Sequence, residues 1–185
     1  LLNGVKNFIT NGREANVAVV FAKTEKTPDH KGMSAFIVEC ASAGFNVQKC
    51  EDKLGIKGSS TAQISLENVK VPKENLLGKL GKGFGIGLAT LDGGRIGIAA
   101  QALGIGEAAF RYARQYVTER VQFGKPISQL QAIQFTLADM STKLAASRAL
   151  ILEASSLKDL GEPYTKEAAQ AKLFASEATM WITTK

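Results

Sequence analysis

The feature that most constrains this fold is a change of hydrophobic period near residue 84. Before it, short apolar runs alternate with turn-forming residues. These runs predict strands over 5–10, 17–21, 33–40, 45–50 and 61–71. The Asn11-Gly12 pair predicts a turn that joins the first two strands. We therefore expect an antiparallel β domain over residues 1–78.

From about residue 84, the apolar residues recur at helical spacing and predict three long helices. The helices are expected over 84–118, from Ser128 to just before Gly161, and from Thr165 to Lys185. Ser128 with Gln131 three residues later predicts a capping box. Long helices with short connections predict an antiparallel bundle over 79–185, which gives an α+β fold. Because such bundles normally have four helices, we expect three of the four, in a fragment of a longer protein.

The first helix contains seven glycines, and each one lowers helix stability by up to about 1 kcal/mol relative to alanine. We expect a neighbouring backbone or a ligand to approach this helix closely. The segment 104–109 matches the dinucleotide-binding pattern GxGxxA. The residues before it are helical in character, however, and the pattern needs a preceding strand. The segment is therefore predicted to be a face for helix packing.

Composition excludes several classes of protein. The 185 residues carry a net charge of +6, which is dispersed along the chain and is typical of a solvated surface. No apolar run approaches the roughly 18 residues that a membrane helix needs. His30 is the only histidine, and Cys40 and Cys50 lack metal-ligand spacing. We expect no metal site, no nucleic-acid partner, no membrane span, and unpaired thiols in a reducing compartment.

Two segments carry candidate chemistry, and the residues alone leave each one open. Arg120, Gln122 and Phe123 lie in a short turn between helices, where an arginine and a ring suit a phosphate and an adenine. An ordinary turn is the alternative. Asp92 and Arg95 flank two glycines one helical turn apart. They form either an i,i+3 ion pair or the floor of a ligand site.

Taken together, the motifs resemble the acyl-CoA dehydrogenase family, most closely its short-chain, butyryl-CoA type members. The stretches that carry the resemblance keep the family's order and cover the whole chain. They are KNFITNG at 6–12, EDKLGIKGSST at 51–61, NVKVP at 68–72, LDGGRIGIA at 91–99, and RVQFG at 120–124 followed by Gln131. The resemblance implies a middle β domain, then the C-terminal helical domain, in a homotetramer that holds FAD.

The resemblance also implies site residues. Those expected beside the flavin ring are Phe8, Ile9 and Thr10, where many members have tryptophan at the position of Phe8. Those expected to reach the FAD of a neighbouring subunit are Arg120, Gln122, Phe123, Leu130 and Gln131. Those expected to line the acyl-CoA thioester and pantetheine are Asp92, Gly93, Gly94 and Arg95.

The implied activity is α,β-dehydrogenation of short-chain acyl-CoA in fatty acid β-oxidation, a part of lipid metabolism. Electrons would pass to electron-transfer flavoprotein. The alternatives are an acyl-CoA oxidase of the same fold and an inactive scaffold or interaction fragment. The expected location is the mitochondrial matrix in a eukaryote and the cytoplasm in a bacterium.

No catalytic base is assigned within the chain. The family's catalytic glutamate usually lies beyond the position of Lys185, and its alternative position corresponds to Gly94. The upstream loop that binds the flavin pyrimidine and phosphates would precede Leu1. We therefore expect the isolated 185-residue chain to be inactive.

Overall fold

A computed structural model describes residues 1–185. The chain divides into two compact units, Leu1–Leu88 and Ala89–Lys185. The boundary between residues 78 and 79 drawn from the sequence stays a prediction. None of the helices combines the length and apolar character needed to cross a membrane.

The first unit contains two antiparallel sheets. Its strands are β1 (Leu2–Thr10), β2 (Val17–Lys23), β3 (Met33–Glu39), β4 (Phe45–Cys50), β5 (Thr61–Val69) and β6 (Leu76–Leu77). One sheet has the order β1-β5-β4 and the other β2-β3-β6. A short 3₁₀ helix over Lys73–Asn75 precedes β6. The five strands predicted from apolar runs are all present.

The turn at Asn11-Gly12 does not make β1 and β2 a hairpin. β1 pairs with β5, from Leu2 opposite Val69 to Thr10 opposite Thr61, whereas β2 pairs with β3. Several residues separate β1 from β2, so no tight two-residue turn forces the strands together. The Asn11 N–H instead donates to Ser60 O at 3.0 Å.

Apolar side chains of both sheets form the core of the first unit. The buried members are Leu2, Val20, Val38, Phe45, Ile64, Leu66 and Val69. Ile64 and Leu66 are two residues apart on β5, because alternate strand residues point to the same face.

The second unit contains most of helix α1 (Gly83–Glu119), helix α2 (Gln131–Asp159) and helix α3 (Thr165–Thr183). A two-stranded ribbon, β7 (Val121–Gln122) and β8 (Lys125–Pro126), connects α1 to a 3₁₀ helix over Ile127–Gln129 that precedes α2. The α+β fold class is confirmed. The third helix ends at Thr183 and not at Lys185.

The predicted capping box at Ser128 is wrong. Ser128 lies in the 3₁₀ helix, and Leu130 occupies the N-cap position of α2 without any side-chain cap. The 3₁₀ turn holds Ser128 away from the start of α2, and its carbonyl accepts a hydrogen bond from Gln134 Nε2 at 3.0 Å.

All three helices contribute to the core of the second unit. The buried members are Ala99, Leu103, Met140, Leu144, Ile151, Ala171, Ala175 and Ile182. Ala171 and Ala175 have no exposed surface, and their small side chains let neighbouring helices approach α3 closely.

Candidate functional site

A β-hairpin replaces the simple turn expected between the first two helices. Phe123 and Gly124 join β7 to β8, with φ values of 54° and 75°. A two-residue loop with positive φ at both positions is typical of a type I′ turn. The Ile127 N–H donates to Arg120 O at 2.9 Å and closes the base of the hairpin. This turn presents Phe123 at the tip, where its side chain is 88% exposed.

The side chains around this hairpin are free to bind. Arg120, Gln122 and Gln131 are exposed, and none has a side-chain hydrogen bond or ion pair within the chain. Leu130 is half-buried and provides no side-chain acceptor for the start of α2. The segment therefore offers a guanidinium fork, two amides and an exposed ring, which suit phosphate oxygens and a flat heteroaromatic ring.

The second predicted segment, Phe8 to Thr10, lies at the end of β1. The pairing with β5 shifts register between Lys6 and Ile9, which marks a bulge. Within it, Phe8 has a φ of 58° and is 72% exposed. A left-handed conformation costs a residue with a Cβ roughly 1–2 kcal/mol, and such strain concentrates at functional positions. The bulge turns an aromatic side chain outward beside the half-buried Ile9.

The third predicted segment lies on α1. Arg95 Nη1 donates to Asp92 Oδ1, which confirms the i,i+3 ion pair. The Thr165 hydroxyl donates to the other carboxylate oxygen, Asp92 Oδ2, at 2.7 Å. The side chains of Arg95 and Asp92 are 34% and 16% exposed, so the arginine keeps solvent-facing N–H groups. Both oxygens of the carboxylate are therefore held while the guanidinium remains available.

The two glycines between them have different surroundings. A Cβ placed on Gly93 would lie 3.5 Å from Lys158 Nζ and 3.9 Å from the Tyr164 hydroxyl, whereas one placed on Gly94 would meet nothing within 4 Å. Sequence reasoning missed Lys158, Tyr164 and Thr165. They are distant in the chain from α1's glycines, and no local pattern marks them.

Other titratable groups stand apart from these segments. No group of three or more His, Cys, Asp or Glu side chains is placed to hold a metal ion. Both cysteines are free, and burial raises the pKa of the Cys40 thiol above its ordinary value. The His30 ring lies 4.3 Å from that of Phe84. A cavity of about 510 Å³ in the first unit is lined by Arg13, Glu39 and Cys40 among others, and by none of the predicted site residues.

Comparison with known proteins establishes the family. The acyl-CoA dehydrogenase C-terminal domain matches residues 81–185, and the acyl-CoA dehydrogenase middle domain matches residues 1–69. The chain belongs to the acyl-CoA dehydrogenase family. This confirms the resemblance drawn from the sequence motifs.

Particular relatives are similar over nearly the whole chain. An acryloyl-CoA reductase (NADH) of Anaerotignum propionicum is 54% identical over 99% of this chain and 46% of its own length. The structure of butyryl-CoA dehydrogenase from Megasphaera elsdenii superimposes with a TM-score of 0.96, at 51% identity over 98% of this chain and 48% of that one. A structure described as electron transferring flavoprotein of Acidaminococcus fermentans superimposes with a TM-score of 0.95. Its chain is 55% identical over 98% of this chain and 48% of its own length. The chain spans about half the length of the curated relatives it matches.

Proposed function

We propose that the protein carrying this chain performs FAD-dependent α,β-dehydrogenation of short-chain acyl-CoA thioesters. The main support is the 51% identity to butyryl-CoA dehydrogenase along almost the entire chain. The segments on β1, on α1 and at the β7–β8 hairpin support this proposal, because their side chains suit the binding of a flavin and a thioester. An acyl-CoA dehydrogenase function therefore explains features that an ordinary strand, helix and turn do not require.

The side chains present fit FAD. The unpaired guanidinium of Arg120 suits a pyrophosphate, the amides of Gln122 and Gln131 suit polar ring edges, and the ring of Phe123 is free to cover an adenine. These residues, with Leu130, are proposed to reach the cofactor of a neighbouring copy in a homotetramer. Bound FAD supplies the two-electron oxidation.

The bulge of β1 is proposed to border the flavin ring. Phe8 offers an exposed aromatic face, and Thr10 offers a hydroxyl group without a hydrogen-bond partner within the chain. Ile9 adds an apolar contact between them. Together they limit access of water to one side of the ring and orient it by contact.

The Asp92–Arg95 segment is proposed to line the thioester and pantetheine of the substrate. One N–H of Arg95 bonds to Asp92, which leaves other donors of the guanidinium for the ligand. Gly94 leaves open space at the helix surface for the acyl thioester. No side chain of the chain is assigned as the base that removes the α-proton.

The electron acceptor is proposed to be an electron-transfer flavoprotein. The Acidaminococcus structure described by that name contains a chain similar to this one. An acyl-CoA oxidase of the same fold would instead pass the electrons to oxygen and release peroxide. An inactive scaffold would neither reduce a flavoprotein nor release peroxide. The compartment stays a prediction.

A second candidate is the reverse reaction, reduction of a short 2-enoyl-CoA. It is favoured by the acryloyl-CoA reductase relative, which is 54% identical to this chain. The same binding side chains serve both directions, because dehydrogenation and reduction share one transition state.

Activity assays on the purified protein that carries this chain, as distinct from the isolated chain, distinguish these functions. We expect butyryl-CoA to reduce an artificial electron acceptor, without stoichiometric peroxide. Peroxide release would indicate an oxidase, and NADH-dependent consumption of acryloyl-CoA without butyryl-CoA oxidation would indicate the reductase. A flavin-loaded protein that performs none of these reactions would contradict the proposal.

Replacing Arg120 tests the cofactor assignment. We expect Arg120→Ala to weaken FAD retention by about 1.5 to 3 kcal/mol, since it removes a charge-assisted contact to phosphate. Arg120→Lys keeps the charge without the fork and should give an intermediate loss. Flavin content after dilution and gel filtration measures the effect, and the exposed Arg111 provides the matched alanine control. Full flavin retention by Arg120→Ala would show that the hairpin is an ordinary connection.

A further inference from the structure

The hydroxyl of Thr165 has an unusual partner for its place in the chain. Thr165 is the first residue of α3, one position after the N-cap, and its hydroxyl makes no hydrogen bond to its own helix. The N-cap position is occupied by Tyr164, and no side chain caps α3. The hydroxyl donates instead to Asp92 Oδ2 at 2.7 Å, across 73 residues of sequence. We propose that Thr165 is a positioning residue that orients Asp92 and Arg95 for binding the acyl-CoA thioester.

This inference rests on the proposed function, and it adds a residue to that site. Asp92 binds Arg95 through Oδ1 and Thr165 through Oδ2. A carboxylate held at both oxygens does not rotate about its Cβ–Cγ bond without losing both contacts. Thr165 therefore fixes the plane of the carboxylate, and that plane fixes the direction of the Arg95 guanidinium.

The surroundings of Asp92 favour this arrangement. The side chain is only 16% exposed, so its two hydrogen bonds are partly shielded from competing water. The carboxylate also accepts its bond from the first residue of α3, where the partial positive charge of a helix N-terminus stabilises an anion. The N-terminus of α3 thus stabilises the charged form of Asp92 and holds its carboxylate in one orientation.

Thr165 acts from behind the proposed substrate surface. The Lys158 ammonium and the Tyr164 hydroxyl approach Gly93, on the side where α2 connects to α3. Gly94 points about 100° away around the helix and faces open space. A group placed at Gly94 meets no atom of the chain, whereas one placed at Gly93 contacts Lys158 and Tyr164. Thr165 therefore influences the ligand through Asp92 and Arg95 without touching it.

Paired substitutions at Thr165 test the role. Thr165→Val removes the hydroxyl at nearly constant volume, and Thr165→Ser retains it. We expect Thr165→Val to raise KM for butyryl-CoA roughly 3- to 10-fold, the range expected for the loss of one ordinary hydrogen bond, because Thr165 acts on the ligand only through Asp92 and Arg95, with kcat changed less than about twofold. Thr165→Ser should keep the wild-type KM. Thr183→Val is the matched control on α3, because the Thr183 hydroxyl bonds only to carbonyls of its own helix.

Double variants show whether Thr165 affects substrate binding through Asp92. In an Asp92→Ala background, Thr165→Val should cause no further change, because a residue that acts through Asp92 is coupled to it. Binding of crotonyl-CoA, the product of butyryl-CoA oxidation, measured by calorimetry should weaken in parallel with the rise in KM. Flavin content and thermal midpoint, compared between Thr165→Val and Thr183→Val, separate this effect from general destabilisation.

The outcomes distinguish the two proposals. If the wild-type protein neither oxidises butyryl-CoA nor binds crotonyl-CoA, both proposals are overturned. If it does so and Thr165→Val has the wild-type KM, or if the effects of Thr165 and Asp92 are additive, only the positioning role is overturned. Loss of activity in Thr165→Ser together with Thr165→Val would also contradict it, because serine keeps the hydroxyl.

Discussion

Two pairs of glycines on α1, the adjacent Gly93 and Gly94 and the alternate Gly104 and Gly106, differ in their surroundings. At Gly106, a Cβ would lie 2.9 Å from Thr179 Oγ1 and 3.1 Å from Leu144 Cδ2, which is closer than side chains normally pack. At Gly94, a Cβ would meet nothing within 4 Å. Gly106 is present because two other helices occupy the space. Gly94 has no such neighbour within the chain, so helix packing does not require a glycine there.

The other member of each pair, Gly104 or Gly93, is not closely packed. Gly104 has open space around it, and Gly93 has only ordinary contacts with Lys158 and Tyr164. Each glycine costs the helix up to about 1 kcal/mol relative to alanine. Only Gly106 has that cost offset by close helix packing. The comparison teaches that this glycine-rich helix contains glycines that close packing requires and glycines that it does not. Substitution with a larger residue should destabilise the protein only at the first kind.

The largest effect is expected at Gly106. Gly106→Val should destabilise the protein by about 3 kcal/mol, because the added atoms overlap Leu144 and Thr179 and displace the Thr179 hydroxyl from Ala102 O. Urea denaturation measures this loss, and Gly106→Ala should show a smaller one. Wild-type stability in Gly106→Val would mean that the three helices do not pack as described, and the comparison would fail.

A mixed effect is expected at Gly94. Gly94→Ala should raise the free energy of unfolding by about 1 kcal/mol, because alanine favours the helix and its Cβ meets no atom of the chain. The same methyl group would enter the proposed thioester site and lower kcat/KM for butyryl-CoA about tenfold. Denaturation and steady-state kinetics on one preparation give both values. A more stable variant with unchanged kinetics would remove Gly94 from the substrate site.

The smallest effect is expected at Gly104, which serves as the control for Gly94. Gly104→Ala should add up to about 1 kcal/mol of stability without changing kcat/KM or flavin content. Analytical ultracentrifugation should show an unchanged oligomeric state. A loss of stability, or dissociation, would show that a second copy covers Gly104 and would place this glycine in the same class as Gly106.

Much of the fold was predictable from the sequence, because its signals are local. The strands appear as short apolar runs, and the expected first helix, 84–118, lies within α1. Strand partners were not predictable in the same way. Asn11-Gly12 indicates a turn, but the partner of β1 depends on burial by residues as distant as Val69.

The candidate site was predicted only in part. Family motifs locate Asp92, Arg95 and Arg120, and the ion pair at i,i+3 follows from helix geometry. Neither the bulge at Phe8 nor the hairpin at Phe123 was foreseen, since the hairpin loop is Phe123-Gly124 and not the Asn-Gly or Asp-Gly pair that signals such a turn. The bond from Thr165 to Asp92 has no sequence signal at all, since it forms only when α3 packs beside α1.

The pairing of β1 with β5 has a consequence during protein synthesis. Within this chain, residues 2–10 gain their partner strand only after residues 61–69 have left the ribosome. At a synthesis rate of roughly 5–20 residues per second, that interval lasts from a few seconds to over ten. Throughout it, Leu2 and Ile9 lie on an unpaired edge that other nascent chains can meet. The demand for chaperones is therefore expected to be greatest before β5 emerges. Helices α2 and α3 are adjacent in the sequence, so they can pack together as soon as both have been synthesised.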